Sequence, residues 1–312
     1  MKLKKSILFI LALTIFTTLL IGCIKKQGGD KEGSTATSKE YNDNGYLVSI
    51  DWLEKNKDNN VVILDGRSKK DYDKGHIPGA INVPWQDLAN IKGKAGDIGW
   101  GIALDKENLS RKLGELGIDE NTIVVTYAKK ENGWGEDGRL AWQLKNAGIN
   151  TKMLNGGFDL WQAQGKEISK DVPTINSKIL DINKIDESKT ITTEELKKNL
   201  SEYKIIDSRT NKEYGGATKF GEAVGGHIKG AISFPFDQVY NKDGTVKSEE
   251  ELIKIFENAG INKNDNIVIY CTAGIRSAYL TEILKMLGYP NVRNYDASYY
   301  EWATTNSDLI EK

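Results

Sequence analysis

A repeat of about 142 residues constrains the fold of this 312-residue chain more than any other sequence feature. Asp65 and Asp207 stand 142 positions apart, and Trp161 and Trp302 stand 141 apart. The matched segments are residues 47–53 with 191–196, 61–67 with 204–209, 75–81 with 226–232, 123–127 with 267–270, and 157–161 with 298–302. A period of this length indicates two duplicated domains, because solenoid repeats are only about 20–50 residues long.

Each copy alternates short apolar segments with segments of helical periodicity. In the second copy, residues 267–270 (IVIY) precede apolar residues spaced i, i+3, i+4 and i+7 within 280–287, which predicts a helix with one buried face. This alternation predicts an α/β fold with two tandem domains, each a mainly parallel central sheet flanked by helices. We place copy one at residues 45–168 and copy two at 190–312, joined by a polar linker at 169–189.

The two copies differ in two places. His76 and His227 stand 151 positions apart, so copy two has about nine extra residues between Arg209 and His227. Copy two has Cys271 at the end of an apolar segment, whereas copy one reads YAKKENGW over residues 127–134, without a cysteine. Copy one therefore cannot carry out thiol chemistry.

The N-terminus resembles a bacterial lipoprotein signal. Three lysines within the first five residues precede an apolar run over residues 6–20, and residues 20–23 read LIGC. About 15 apolar residues are too few to span a bilayer, and a plain secretory signal needs no cysteine at that position. We therefore expect residues 1–22 to be removed and Cys23 to be lipidated. Residues 23–44 would form a disordered tether, giving an extracytoplasmic lipoprotein anchored to a bacterial membrane.

Composition narrows the classes of partner. The chain is 39% hydrophobic and 28% charged with a net charge of -1, which gives no electrostatic reason to expect nucleic acid. Its two cysteines, Cys23 and Cys271, lie in such different contexts that a disulfide is not expected. Neither histidine has neighbours spaced as metal ligands, so we expect no metal site and no cofactor.

The segment CTAGIRS, residues 271–277, is the candidate active-site loop. A turn from a strand into a helix gathers backbone N–H groups at the helix N-terminus and favours negative charge there. A cysteine in such a turn is shifted toward the thiolate, which is the nucleophilic form. The alternative is a buried structural cysteine. Arg276, five positions after Cys271, favours the reactive interpretation.

The order of motifs resembles the rhodanese family, and more narrowly its two-domain sulfurtransferases. Asp-x-Arg, Gly-His-Ile-x-Gly-Ala-Ile, a strand ending in cysteine and an aromatic element ending in tryptophan follow one another within residues 45–304. The resemblance implies a catalytic second domain and a degenerate first domain that shapes the cleft. It further implies that Cys271 takes sulfane sulfur from a donor such as thiosulfate, becomes a persulfide and passes the sulfur to a thiol or to cyanide.

Loop length separates two reaction classes within this resemblance. From Cys271 to Arg276 the loop has six members, as in similar rhodaneses, whereas related phosphatases need one more residue to enclose phosphate. A tyrosine- or arsenate-directed phosphatase is therefore disfavoured. Arg276 would hold an anionic donor through its planar fork. The backbone amides that would stabilise the anionic sulfur belong to Thr272, Ala273, Gly274, Ile275 and Ser277.

The donor and the roles of the neighbouring residues remain open at this point. Mercaptopyruvate-using relatives tend to lack the terminal arginine, so thiosulfate is the expected donor and 3-mercaptopyruvate the alternative. A persulfide carrier or a sulfur-anion-binding module with little turnover is the main rival function. Arg209 is a candidate substrate contact. Asp207, Arg209 and His227 all have counterparts in the cysteine-free copy, however, which favours structural roles.

Overall fold

A computed structural model describes residues 43–312 of the chain. The predicted signal segment, the lipidated Cys23 and nearly all of the predicted tether lie outside these residues and stay predictions. None of the helices in the described part is long and apolar enough to cross a membrane.

Copy one is built on a parallel sheet with strand order β1-β5-β4-β2-β3. Its strands are β1 (Leu47–Val48), β2 (Val61–Asp65), β3 (Ile81–Asn82), β4 (Ile123–Tyr127) and β5 (Thr151–Leu154). Its helices are α1 (Ile50–Asn56), α2 (Lys69–Tyr72), α3 (Lys106–Glu115), α4 (Glu136–Asn146) and α5 (Gly157–Ala163). The central strands are rich in valine and isoleucine because both faces of the sheet are covered by helices.

Copy two repeats this plan with strand order β10-β9-β6-β8. Its strands are β6 (Lys204–Asp207), β7 (His227–Ile228), β8 (Ile232–Ser233), β9 (Ile267–Tyr270), β10 (Val292–Asn294) and β11 (Ile310–Glu311), of which β7 and β11 form a short antiparallel pair. Its helices are α6 (Thr193–Lys198), α7 (Asn211–Tyr214), α8 (Glu249–Asn258), α9 (Ile275–Met286) and α10 (Ser298–Thr305). The predicted α/β class with mainly parallel sheets is confirmed.

Hydroxyl side chains cap the matched first helices of the two copies. The Ser49 Oγ accepts a hydrogen bond from the Trp52 N–H at 3.1 Å, and the Thr192 Oγ1 accepts one from the Glu195 N–H at 3.2 Å. Each bond satisfies a backbone donor that the first turn of a helix leaves free.

Helix α9 corrects one prediction from the sequence. Its periodicity predicts a single buried face, but every residue from Ile275 to Leu284 is buried. The reason is that α4 of copy one packs against the side of α9 that the sequence assigns to solvent. The approach is close, since a Cβ added to Gly138 of α4 would lie 2.5 Å from the Tyr279 Cα.

The segment between the copies is attached to copy one. Leu180 and Ile182 are buried in the same apolar cluster as Leu113 and Leu144. The Lys178 Nζ lies 2.9 Å from an oxygen of Asp119. This segment is polar over most of its length, but its two buried apolar side chains fix its course along copy one.

Candidate active site

Cys271 lies between the carboxyl end of β9 and the start of α9. Strand β9 pairs with β6 on one side and β10 on the other, so the cysteine emerges within the sheet rather than at its edge. The chain then turns through Gly274 at φ +81°, a left-handed conformation that side chains rarely adopt. A Cβ on Gly274 would also lie 2.5 Å from the Asp296 carbonyl oxygen. The turn into α9 therefore requires glycine.

The thiol of Cys271 is buried and surrounded by donors. Only 1% of the residue is exposed. Burial by itself would raise the pKa of the Cys271 thiol. The charge of Arg276 and the N–H groups of Ser277 and Ala273 outweigh that effect, so the pKa is lowered. The Ser277 hydroxyl lies 3.7 Å from the sulfur, and the Cys271 N–H donates to the Ser298 Oγ at 3.2 Å. The environment stabilises negative charge on the sulfur.

Arg276 forms a buried ion pair with Glu213. Its Nη1 donates to one carboxylate oxygen at 2.9 Å and its Nη2 to the other at 2.8 Å. The Thr272 hydroxyl closes the group, accepting from Arg276 at 2.7 Å and donating to Glu213 at 3.1 Å. Burial raises the pKa of the Glu213 carboxyl, but the pairing with Arg276 outweighs it and lowers the pKa to about 2. Much of the positive charge of Arg276 is therefore compensated within the protein.

Glu213 is the site residue that the sequence interpretation missed. Its carboxylate also accepts from the backbone N–H of Thr210 at 3.0 Å, and the Thr210 Oγ1 accepts from the Glu213 N–H, which completes a capping box at α7. The Thr-x-x-Glu spacing was a visible signal for that cap. It gave no sign of the contact with Arg276. In copy one the matching residue is Asp71, which pairs with Lys74 near the surface.

Arg209 lies in a scaffold that both copies share. It donates to both oxygens of Asp207 and, at 2.6 Å, to the carbonyl of Gly226. Arg67 makes the same bidentate contact with Asp65 in the cysteine-free copy. Arg209 is fully buried, its guanidinium lies 3.8 Å from the ring centroid of Tyr299, and its Nη1 has no hydrogen-bond partner among the described residues. The contacts that Arg209 shares with Arg67 support the structural interpretation of Arg209 over substrate binding.

The histidine rings also belong to the scaffold. The His227 ring stacks on Tyr214 with 3.7 Å between centroids, and its Nδ1 lies 3.0 Å from the Tyr214 carbonyl oxygen. His76 and Tyr72 repeat both contacts in copy one with the same distances. Because the stacked pair is present where no cysteine exists, it gives no support to a role as general base.

Arg139 of α4, in copy one, contacts the loop of copy two. This guanidinium pairs with the Asp296 carboxylate and lies 3.5 Å from the Gly274 carbonyl oxygen. It also donates to the Gly101 carbonyl at 3.0 Å. The second oxygen of Asp296 accepts from the Ala103 N–H at 2.7 Å. Copy one thus supplies part of the contacts that hold the loop of copy two in place.

Aromatic residues of both copies form a connected chain beside the loop. Tyr300, whose N–H donates to the Thr272 carbonyl at 3.0 Å, meets Trp100 edge-to-face at 5.6 Å between centroids. The Tyr300 hydroxyl donates to the Phe220 carbonyl at 2.8 Å. The Phe220 ring in turn meets Trp134 at 5.0 Å. We call Trp100, Trp134, Phe220 and Tyr300 the aromatic mouth.

The matching place in copy one carries the opposite charge. Ala128 follows β4 where Cys271 follows β9. Asp137 is the second residue after the left-handed glycine before its helix, the position that Arg276 has in copy two. The Asp137 carboxylate pairs with Lys130 at 2.5 Å, and both side chains are buried.

Copy two fills the space beside that pair. The Lys130 ammonium lies 4.4 Å from the ring centroid of Tyr279 and 5.2 Å from that of Tyr240. Both tyrosines belong to copy two, so aromatic side chains occupy the space in copy one that an open site would need.

A separate cleft of about 1000 Å³ lies between the copies. It is lined by Ile98 and Ile102 of copy one, Trp142 and Gln143 of α4, and residues 185–187 and 190–194. None of residues 271–277 lines it. The loop itself therefore does not form part of this cleft.

Comparison with known proteins identifies the family. The rhodanese-like domain family matches residues 49–164 and again residues 192–305. The sulfur carrier protein TtuD of Thermus thermophilus is 32% identical over 82% of this chain and 93% of its own length. A thiosulfate sulfurtransferase of Corynebacterium glutamicum is 29% identical over 85% of this chain and 89% of its own.

Solved structures agree on the fold. The anaerobic ergothioneine biosynthesis enzyme of Chlorobium limicola superposes with a TM-score of 0.75 at 23% identity, over 86% of this chain and 70% of that enzyme. Two tandem matches together cover well over half of the sequence. The chain therefore belongs to the rhodanese family of sulfurtransferases, as a protein of two tandem rhodanese-like domains.

Proposed function

We propose that the protein transfers sulfane sulfur from thiosulfate to a thiophilic acceptor through a persulfide on Cys271. The observation that carries this proposal is the thiol itself. It is buried, its pKa is lowered by Arg276 and by loop amides, and it lies at the N-terminus of α9. An anionic sulfur attached to Cys271 would lie near the same N–H groups, so the loop suits the intermediate as well as the nucleophile.

The donor step involves one bond made and one broken. The Cys271 thiolate attacks the outer sulfur of thiosulfate, the sulfur–sulfur bond of the donor breaks, and its electron pair leaves with sulfite. The enzyme then carries a Cys271 persulfide anion, and no external oxidant or reductant is needed. The amide groups of Ala273 and Ser277 are positioned to bind that charge.

Thiosulfate is preferred over 3-mercaptopyruvate as the donor. A six-member loop that ends in Arg276 places a fixed cation beside the sulfur, and the Corynebacterium glutamicum relative is named for thiosulfate. The ion pair with Glu213 weakens this preference, because it compensates part of the charge that a dianion would need.

A persulfide carrier with little turnover is the second candidate. Two observations favour it: the thiol is only 1% exposed, which restricts the acceptors that can reach it, and the Thermus thermophilus relative is named a sulfur carrier. Carrier and enzyme share the first step and differ only in how fast the sulfur leaves Cys271.

A thiosulfate:cyanide assay on protein lacking residues 1–43 tests the proposal, with Cys271→Ser as the matched control. Thiocyanate that forms steadily and depends on Cys271 supports the enzyme. A gain of about 32 Da on Cys271 without turnover supports the carrier. If thiosulfate adds no sulfur to Cys271 and no thiocyanate forms, both candidates are wrong.

We also propose that Cys23 carries lipid and anchors the protein outside the cytoplasmic membrane. The LIGC sequence after an apolar run supports this. Metabolic labelling of the full-length chain with a radioactive fatty acid should label the protein and not the Cys23→Ala variant. Equal labelling of the two would contradict the anchor.

A further inference from the structure

The extra residues of copy two form part of the aromatic mouth. They lie between α7 and β7, where copy one has a much shorter connection. Tyr300 links this insertion to the loop, because its N–H binds Thr272 and its hydroxyl binds the Phe220 carbonyl. Tyr300 therefore connects the insertion directly to the loop that carries Cys271.

Glu222 of the insertion is turned inward. It is only 6% exposed, whereas its neighbours Gly221 and Ala223 are exposed. One carboxylate oxygen accepts from the Phe220 N–H at 2.9 Å. The other oxygen is buried and has no hydrogen-bond partner within residues 43–312. A buried carboxylate oxygen without a partner costs free energy, which calls for a ligand or another role.

Glu222 and Cys271 share one neighbour, Tyr300. Burial raises the pKa of the Tyr300 hydroxyl, and the negative charges of Glu222 and Cys271 raise it further. Tyr300 therefore lies within electrostatic reach of both groups. No lysine, arginine or histidine of the described residues forms an ion pair with Glu222. The position combines a negative charge with aromatic ring faces, and both attract a cation.

We propose that Glu222 and the aromatic mouth form a subsite for a positively charged group on the sulfur acceptor, so that the preferred acceptor is an aminothiol. This inference rests on the proposed function and names its second substrate. The ammonium group of the acceptor would donate a hydrogen bond to the unpartnered oxygen of Glu222, while the sulfur of the acceptor faces Cys271.

The transfer itself balances without a further reagent. The acceptor thiolate attacks the outer sulfur of the Cys271 persulfide, the bond from that sulfur to Cys271 breaks, and its electron pair returns to Cys271 as thiolate. The acceptor leaves as a persulfide. Glu222 takes no part in the bond changes and acts only by binding.

The test is single-turnover discharge of persulfide preloaded on Cys271 with inorganic polysulfide, so that it does not depend on thiosulfate. Three small thiols serve as acceptors: cysteamine, 2-mercaptoethanol and 3-mercaptopropionate, which are cationic, neutral and anionic. Rates are normalised to the persulfide present and compared between wild type, Glu222→Gln and the control Glu257→Gln. Glu257 is an exposed residue of α8. Comparing ratios between variants removes the intrinsic reactivity of each thiol.

We expect the cysteamine to 2-mercaptoethanol rate ratio to fall about tenfold in Glu222→Gln, the change expected from losing one charge-assisted hydrogen bond. The 3-mercaptopropionate to 2-mercaptoethanol rate ratio should rise in Glu222→Gln. Both ratios in Glu257→Gln should match those of wild type. Equal ratios in wild type and Glu222→Gln would overturn the subsite. A different outcome is that thiosulfate forms no persulfide on Cys271 but the expected ratios are seen after loading with polysulfide. That outcome would overturn only the proposed donor.

Discussion

At the scale of single residues, the site is a thiol beside a closed ion pair. Arg276 lowers the pKa of Cys271, yet its guanidinium is occupied by Glu213 on two oxygens. The arginine that the sequence assigns to the donor therefore already has a carboxylate partner. Glu213 limits how strongly Arg276 can attract an anion.

Glu213→Gln should increase the effective charge of Arg276. The amide keeps the shape of the carboxylate but removes its negative charge. We expect the pKa of Cys271 to fall further and the KM for thiosulfate to fall about threefold or more. The pH dependence of Cys271 alkylation and steady-state kinetics measure these two effects. Asp71→Asn, the matching change in copy one, should alter neither, and an unchanged Cys271 pKa in Glu213→Gln would refute the argument.

Because of the same ion pair, the free energy of unfolding should depend on pH in the acid range. The pKa of Glu213 is lowered from 4.5 to about 2, so its contribution is complete above pH 4.5 and is lost as the pH falls toward 2. The contribution is roughly 3 kcal/mol. Urea unfolding should show a larger loss of stability between about pH 7 and about pH 3 in wild type than in Glu213→Gln. Equal losses would show that Glu213 is not strongly paired in solution.

Removing the Arg276 side chain alone should affect the stability of the fold more strongly than the activity. Arg276→Gln leaves the Glu213 charge buried without its cation, which costs about 3–5 kcal/mol. The double variant Arg276→Gln/Glu213→Gln should regain most of that stability but keep a high KM for thiosulfate. Chemical denaturation and kinetics on the two variants separate the roles. A double variant with wild-type KM would exclude Arg276 as the anion holder.

At the scale of elements, the connection from β9 to α9 depends on one glycine. Gly274→Ala must accept both the left-handed φ and a Cβ 2.5 Å from the Asp296 carbonyl oxygen. Gly260→Ala is the matched control, since Gly260 has φ +75° and nothing within 4 Å of the added Cβ. We expect Gly274→Ala to lower the free energy of unfolding by about 1–3 kcal/mol more than the control does. Cys271 should also be alkylated at a different rate in this variant. Equal losses in thermal unfolding would contradict the steric argument.

The elements also show what the sequence could predict. The strand, the glycine turn and the helix around Cys271 are contiguous in the chain, so their pattern predicted the loop. Glu213 and Arg276 are 63 positions apart, and Arg139 and Asp296 are 157 apart. Those contacts depend on how α7 and α4 pack against the loop, which no local pattern contains. Glu282 of α9 is polar yet buried, and the charge of Lys145 in copy one acts on it, which the local sequence does not reveal.

At the scale of the whole molecule, activity should depend on how α4 and α9 fit together. Gly138→Ala inserts a methyl group 2.5 Å from the Tyr279 Cα, so the two helices must separate. We expect the free energy of unfolding to fall by about 1–3 kcal/mol. Persulfide formation should also be slower, although Gly138 lies in the copy without a cysteine. Thermal unfolding and the rate of sulfite release measure both. Gly215→Ala, whose nearest contact would be an ordinary 3.4 Å, should be close to neutral.

The scaffold that copy one retains bears on attempts to engineer a second reactive centre. Asp65 and Arg67 form the same buried pair that Asp207 and Arg209 form in copy two. The obstacle lies elsewhere, in the aromatic rings that copy two packs against Lys130. A designer would have to reshape the surface of copy two before adding any chemistry to copy one.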